Sequence, residues 1–172
     1  MKVCINGGHF PGRYPGALGS RVKEADVCMR LMQRVAGYLE KAGCEVMAVQ
    51  TDDLGEICNA SNRWGADMFV SIHCNAFNKK AKGTETFCYY GSREGDALAH
   101  HIQSQIVTSL ATADRGVKEA GFYVLKHTKC PAVLVECAFI DNVHDEALLI
   151  EREDDFARAI ARGVTDYITR KQ

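Results

Sequence analysis

Short apolar runs alternate along this chain with longer segments in which apolar residues recur every three or four positions. Runs of the first kind predict buried strands, and segments of the second kind predict amphipathic helices. The clearest periodic segment covers 24–42, and Gly43 is placed to end that helix. The predicted strands are 3–6, 45–50 (EVMAVQ), 67–76 (DMFVSIHCNA), 83–90 (GTETFCYY), 121–125 (GFYVL) and 131–139 (PAVLVECAF).

Further helical patterns follow these strands. A weak one covers 53–64, a stronger one covers 95–113, and one or two helices are predicted from 145 to the end. Strands that alternate with helices predict an α/β domain, and 172 residues without a repeat or linker suit one core. We therefore expect a single domain over 1–172. Its sheet should be twisted, mixed but mostly parallel, with about six strands and helices on both faces.

Charge and composition exclude some classes of function. The 21 Lys and Arg residues nearly balance the 22 Asp and Glu residues, which argues against binding nucleic acid through bulk charge. No apolar stretch is long enough to cross a bilayer, so we predict no transmembrane segment. The first residues, MKVCINGGHF, do not resemble a signal peptide. We expect either synthesis in the cytoplasm with release by another route, or a trimmed form of a longer chain.

The eight cysteines are numerous for this length, and no two have the C-x-x-C spacing of a zinc knuckle. Several lie inside apolar runs, where a cysteine behaves as a small hydrophobic residue. We therefore expect mostly buried free thiols, which suit a reducing compartment. Their positions are 4, 28, 44, 58, 74, 88, 130 and 137.

Ionisable residues follow or end three of the predicted strands. His9 follows the first strand, His73 ends the run FVSIH, and Glu136 ends the run AVLVE. Functional residues of parallel sheets collect at the carboxyl ends of the strands, so these three side chains are candidates for one site. Glu24 is a fourth candidate, because it opens the first long helix just after a glycine-rich loop.

Each candidate also has an ordinary structural explanation. His9 fits a polar turn, and His73 fits a hydrogen-bonded core histidine. Glu24 fits a first-turn acid that complements the helix dipole, and Glu136 fits a buried ion pair with an arginine.

As a set, the candidates suggest metal chemistry. Two imidazoles and one carboxylate form a zinc site with an open fourth position, and a second carboxylate can act as general base. The other four histidines fit this set less well. His100 and His101 diverge on a helix, His144 lies in a polar segment, and His127 is the one placed to border the site.

Several blocks of the chain resemble one enzyme family. The blocks NGGH, PGALG, KEADV, NRWGADMFVSIHCNA, GTETFCYY and RGVKEAGFYVLKHTKCPAVLVECAFIDN occur in the family's order. They resemble the zinc-dependent N-acetylmuramoyl-L-alanine amidases of the third amidase family. These enzymes cut the amide bond between the lactyl group of muramic acid and the first L-alanine of peptidoglycan stem peptides. The resemblance covers essentially the whole chain and implies a single catalytic domain that acts on the bacterial cell wall.

The resemblance also implies roles for particular residues. The family's zinc ligands fall on His9, Glu24 and His73, with one Zn²⁺ per chain, and its catalytic glutamate falls on Glu136. The peptidoglycan substrate is the expected partner. Two further residues, Asn75 and Arg115, are candidates for shaping the substrate groove.

The sequence also departs from the family pattern. Asn6 and Gly7 replace the Asp and Pro of the usual Asp-Pro-Gly-His motif, and VQTDDLGE lacks the family's usual arginine and aspartate. The segment between Asn75 and Arg115 is too short for the plug helix of some cell-division amidases, so we expect an uncovered site.

Two other functions are compatible with the same residues. A zinc peptidase or amide hydrolase acting on a substrate outside the cell wall would use the same ligand set. A module that only binds peptidoglycan is less compatible, because such a module has no need of Glu136.

Overall fold

Six strands form one sheet with six helices around it in the computed structural model, which describes residues 1–170. The elements, in chain order, are β1 (Lys2–Gly7), α1 (Glu24–Lys41), β2 (Glu45–Val49), α2 (Leu54–Trp64), β3 (Met68–Asn75), β4 (Thr84–Cys88), α3 (Arg93–Leu110), β5 (Asp114–Glu119), α4 (Tyr123–His127), β6 (Ala132–Phe139), α5 (Val143–Glu151) and α6 (Glu153–Arg170).

The sheet is mixed, as predicted. Its strand order is β2-β1-β3-β6-β4-β5. The first four strands in this order are parallel to one another, whereas β4 pairs with β6 in the antiparallel direction and with β5 in the parallel direction. The carboxyl ends of β1, β3 and β6 therefore meet at one edge of the sheet.

Two hydrophobic cores cover the two faces of the sheet. The larger core joins Val3 and Ile5 of β1 to apolar residues of α1, α3, α5 and α6. The smaller core joins Phe69 and Leu134 to apolar residues of α2 and α4. Because successive side chains of a strand point to opposite faces, the apolar runs in β1, β3 and β6 supply both cores. The prediction of helices on both faces is confirmed.

The first and last helices follow the predicted apolar periodicity. α1 begins at Glu24, and its C-terminus is followed by Gly43 at a φ of 84°. Only glycine adopts this left-handed conformation without steric cost, which explains the stop. In α6, Phe156, Ile160 and Val164 are fully buried, as the spacing of four predicts.

The predicted strand at 121–125 is wrong, because this segment leads into helix α4 and the remaining strand is β5. β5 lies at the edge of the sheet and is polar and largely exposed, so it has no apolar alternation to reveal it. Val124 and Leu125 are buried as consecutive residues of one helical turn against the smaller core. Their apolar character was therefore a sign of burial and not of a strand.

The cysteines are mostly buried free thiols, as expected, and the helices contain no candidate membrane span within residues 1–170. All eight cysteines are free thiols, of which six are buried and Cys44 and Cys130 are partly exposed. Within residues 1–170, no helix is both long enough and apolar enough to span a membrane.

Candidate active site

The backbone ladder places two of the candidate residues side by side. His73 of β3 and Glu136 of β6 are register partners in neighbouring parallel strands, so their side chains leave the same face of the sheet. On the other side of β3, the N–H of Gly8 donates to the carbonyl of Ile72 at 2.9 Å, which extends the β1 ladder to the residue before His9.

The buried carboxylate of Glu24 joins the two imidazoles. Its Oε1 lies 2.9 Å from Nδ1 of His73, and its Oε2 lies 3.2 Å from Nε2 of His9. The backbone N–H groups of Ala17 and Cys74 also donate to this carboxylate, at 2.7 and 3.1 Å. One nitrogen or oxygen atom from each of His9, Glu24 and His73 lies within 4.8 Å of the others, a spacing at which all three could contact one metal ion.

The electrostatics of this group favour an ionised carboxylate. Burial raises the pKa of Glu24, but hydrogen bonds from His73 and His9 outweigh burial and hold that pKa far below its usual range. The hydrogen bond to Glu24 raises the pKa of His9 against the opposing effect of burial. Two imidazoles and one carboxylate are the donor set of catalytic zinc sites that keep a fourth position open, so these residues fit a zinc ion.

Two glycines make room for the side chains of His9, Glu24 and His73, which we call the ligand group. A Cβ on Gly8 would lie 2.4 Å from Cε1 of His73, and one on Gly16 would lie 2.5 Å from both Oε2 of Glu24 and Cδ2 of His9. Gly16 also has a φ of 69°, and His9 has a φ of 59°. The glycine-rich loop is therefore needed for close packing as well as for its turns.

Glu136 lies beside the ligand group in a less polar environment. Its Oε2 is inaccessible to solvent and has no hydrogen-bond partner within residues 1–170. Burial is the main reason that the pKa of Glu136 is raised to about 7; the nearby charge of His73 opposes it, and those of Glu24 and Glu85 act in the same direction as burial. A carboxyl group with a pKa near neutrality is well suited to accept and return a proton.

A cavity of about 520 Å³ opens beside His9, His73 and Glu136. Most of its remaining wall is aromatic or aliphatic: Tyr14, Leu54, Ile57, Phe122, Tyr123, Val124 and Leu134. Among the described residues, none from α3 lines this cavity, because α3 packs on the opposite face against α6. The expectation of an uncovered site stays a prediction.

The two candidate substrate residues, Asn75 and Arg115, do not line this cavity. Both contact Glu85 of β4: Nδ2 of Asn75 donates to Oε1 at 2.6 Å, and Nε of Arg115 donates to Oε2 at 2.9 Å. Sequence reasoning missed Glu85. The sequence feature that could have revealed Glu85 is an acid two positions before Phe87 in the predicted strand GTETFCYY, which places both side chains on the same face of the strand.

The remaining histidines lie outside the ligand group. His127 is exposed and stacks on Tyr123 of the cavity wall with ring centroids 4.2 Å apart, so it borders the cavity as predicted. His100 and His101 lie on α3, and His144 lies on α5.

Asn6 shows why the altered loop motif is compatible with the fold. Its Nδ2 donates to the carbonyl of Val49 on β2 at 3.0 Å, and its Oδ1 accepts from Oγ of Ser71 on β3 at 2.6 Å. Asn6 thereby links β1 to both neighbouring strands just before His9.

Two acids follow β2. Asp53 caps α2, whereas Asp52 lines the cavity, and its Oδ2 lies 3.6 Å from Nε of Arg13.

Comparison with known proteins assigns the chain to a family. The family model described as N-acetylmuramoyl-L-alanine amidase (Amidase_3) matches residues 3–166. The uncharacterized protein YqiI of Bacillus subtilis (strain 168) is 38% identical over 96% of this chain and 84% of its own length. N-acetylmuramoyl-L-alanine amidase LytC of the same organism is 37% identical over 96% of this chain, which spans only 35% of LytC.

The fold comparison agrees with the sequence comparison. The structure of N-acetylmuramoyl-L-alanine amidase AmiC2 of Nostoc punctiforme superposes with a TM-score of 0.92 at 31% identity. The match covers 98% of this chain and 97% of that one, so the likeness extends over the whole domain. The chain belongs to the Amidase_3 family of N-acetylmuramoyl-L-alanine amidases.

Proposed function

We propose that this protein catalyses zinc-dependent hydrolysis of the amide bond between the lactyl group of N-acetylmuramic acid and L-alanine in peptidoglycan. The observation that carries the proposal is the convergence of His9, Glu24 and His73 beside Glu136, in a chain of the amidase family. The site of action would be the bacterial cell wall.

In this proposal His9, Glu24 and His73 hold one Zn²⁺ per chain. Glu24 is held by the N–H groups of Ala17 and Cys74, so its carboxylate stays oriented toward both histidines. A bound zinc ion supplies Lewis-acid chemistry at this position, because it polarises a carbonyl group and lowers the pKa of water.

Glu136 acts as general base and then as general acid. It accepts a proton from the attacking water and returns it to the nitrogen of the departing L-alanine, so its carboxyl group ends the cycle as it began. Its burial and raised pKa support this double use, since a carboxyl group that gives up and regains a proton readily needs a pKa near the working pH. The cavity beside Glu136, whose wall includes Leu134 and Phe122, offers space for the substrate.

The test measures zinc content and the release of new L-alanine amino termini from purified peptidoglycan in the same preparations. We expect one zinc per chain and the appearance of new L-alanine amino termini for the parent. Glu136→Gln should keep its zinc and lose about 10²- to 10⁴-fold in rate, the usual contribution of a general base. His73→Ala should lose both zinc and activity.

His144→Ala is the matched control, because it removes an exposed histidine from α5, outside the cavity lining, and should match the parent in both measurements. Parent-like hydrolysis by Glu136→Gln would refute the assignment of the base. Hydrolysis of other amides without release of L-alanine termini would favour a zinc amide hydrolase with a substrate outside the cell wall.

A further inference from the structure

Beyond Glu136, the same face of the sheet carries a buried acid that holds two cations. Glu85 of β4 is the register partner of Glu136 of β6 and is only 5% exposed. Its Oε2 accepts from Nε of Arg115 at 2.9 Å and from Nζ of Lys118. Its Oε1 accepts from Nδ2 of Asn75 at 2.6 Å. We call Glu85, Arg115 and Lys118 the Glu85 cluster.

The Glu85 cluster has spare positive charge and spare donors. One carboxylate balances only one of the two cations, whose side chains are 37% exposed for Arg115 and 42% exposed for Lys118. Within residues 1–170, only Nε of Arg115 is hydrogen-bonded, which leaves its two Nη groups free to donate. The ring of Phe139 supports the guanidinium at 4.9 Å and so restricts its orientation. A restrained guanidinium with free N–H groups is suited to bind a carboxylate.

The position of the Glu85 cluster matches the length of a peptide substrate. His73, Glu136 and Glu85 lie in one row across three neighbouring strands. Strands are about 4.8 Å apart, so Glu85 lies about 10 Å from His73 along this row. Successive α-carbons are about 3.8 Å apart, so the residue after L-alanine lies about 7 Å from the reacting carbonyl. A carboxylate on that residue reaches the cations of the cluster.

We propose that Arg115 and Lys118, held in place by Glu85, bind a free carboxylate on the stem-peptide residue that follows L-alanine. This inference rests on the proposed function and adds a substrate preference to it. The preferred substrates are N-acetylmuramoyl peptides with a free carboxylate on the second residue. Amidation of this carboxylate weakens the binding of the peptide to Arg115 and Lys118. Asn75, which donates to Oε1 of Glu85, is then a positioning residue that acts through Glu85.

The test compares two probes, N-acetylmuramoyl-L-alanyl-D-glutamine with a free α-carboxylate and the same compound with that group amidated. For the parent, we expect kcat/KM to fall about 10- to 100-fold on amidation, the range for losing charge-assisted hydrogen bonds. Arg115→Met and Lys118→Met should each lower kcat/KM for the free acid and leave the amidated probe nearly unaffected. Arg115→Lys should retain part of the discrimination, because it keeps the charge without the planar fork.

Arg162→Met is the matched control, since it removes an exposed cation from α6, remote from the cavity, and should discriminate like the parent. Equal hydrolysis of the two probes by the parent, or full discrimination by Arg115→Met, would overturn this inference and leave the proposed function standing. If neither probe yielded a dipeptide with a new L-alanine amino terminus, the proposed function would be overturned together with the inference.

Discussion

His73 and Glu136 are register partners on the parallel strands β3 and β6, so the backbone ladder sets the spacing between their α-carbons. The register shifts directly after this pair, and Asn75 then pairs with Phe139. Both side chains therefore stand at the last regular position of the ladder, on a rigid sheet. A site built on strands fixes the positions of its side chains more precisely than a site built on loops.

Shortening the Glu136 side chain should test how much this spacing matters. Glu136→Asp keeps the carboxylate but withdraws it by about one methylene length, and a displacement of about 1 Å can cost about 100-fold in rate. We expect hydrolysis of purified peptidoglycan to slow by about that factor while the zinc content stays at the parent value. A parent-like rate would mean that the distance from Glu136 is not critical.

Gly8→Ala should weaken metal binding without removing a ligand. The new methyl group would meet the ring of His73 at 2.4 Å, so the imidazole must move. We expect zinc affinity, measured by competition with a chromogenic chelator, to fall about 10- to 100-fold, as for other changes in the support of metal ligands.

Gly37→Ala is the matched control for Gly8→Ala, because a Cβ at this position of α1 meets nothing within 4 Å. It should bind zinc like the parent and raise the free energy of unfolding by about 0.5–1 kcal/mol, since glycine is unfavourable inside a helix. If both variants bound zinc equally well, the close approach of Gly8 to His73 would not matter for the metal.

Zinc should stabilise the folded chain against heat. A ligand that binds only the native state adds about 2.7 kcal/mol at 100 times its Kd, which corresponds to about 5–10 °C in Tm for a domain of this size. We expect this shift when zinc is added to metal-stripped parent, and a chelator should reverse it. Glu24→Gln should show a much smaller shift, and an equal shift in that variant would argue against Glu24 as a ligand.

Glu146 should make stability depend on pH in acid solution. This residue of α5 is 1% exposed and accepts hydrogen bonds from Oγ of Ser20 and from the N–H groups of Arg21 and Val22, in the loop before Glu24. Burial raises the pKa of Glu146, but these hydrogen bonds outweigh burial and hold it below its usual value. The stabilisation is therefore complete above the unfolded-state pKa of about 4.3 and is lost as the pH falls through the lower folded-state value.

Urea unfolding of metal-free protein at several pH values checks this expectation. Glu146→Gln should be less stable than the parent by about 2 kcal/mol at pH 7, the range for hydrogen bonds to a buried charged group, and this gap should narrow below about pH 4. The exposed Glu151→Gln on the same helix is the control and should show no such gap. A gap that stays constant down to pH 3 would contradict the assigned cause.

The strands that the sequence predicted correctly are those in which the apolar pattern follows burial. β1, β3 and β6 were visible as apolar runs because both of their faces are covered. His9, His73 and Glu136 stood out as ionisable groups at the ends of such runs. The edge strand β5 was missed because a polar edge strand carries no apolar pattern. The helix α4 was predicted as a strand because a single buried helical turn resembles a short apolar strand.

The amino-acid sequence alone was enough to predict the α/β class, the long helices and the identity of the four candidate residues, because these depend on local periodicity and residue type. Only the tertiary structure brought Glu85 beside Glu136, joined Glu146 to the loop before Glu24 and formed the cavity between α2 and α4. These relationships depend on strand register and on contacts between residues far apart in the chain. Neither is encoded in any single segment, so they arise only when the strands pair and the helices pack.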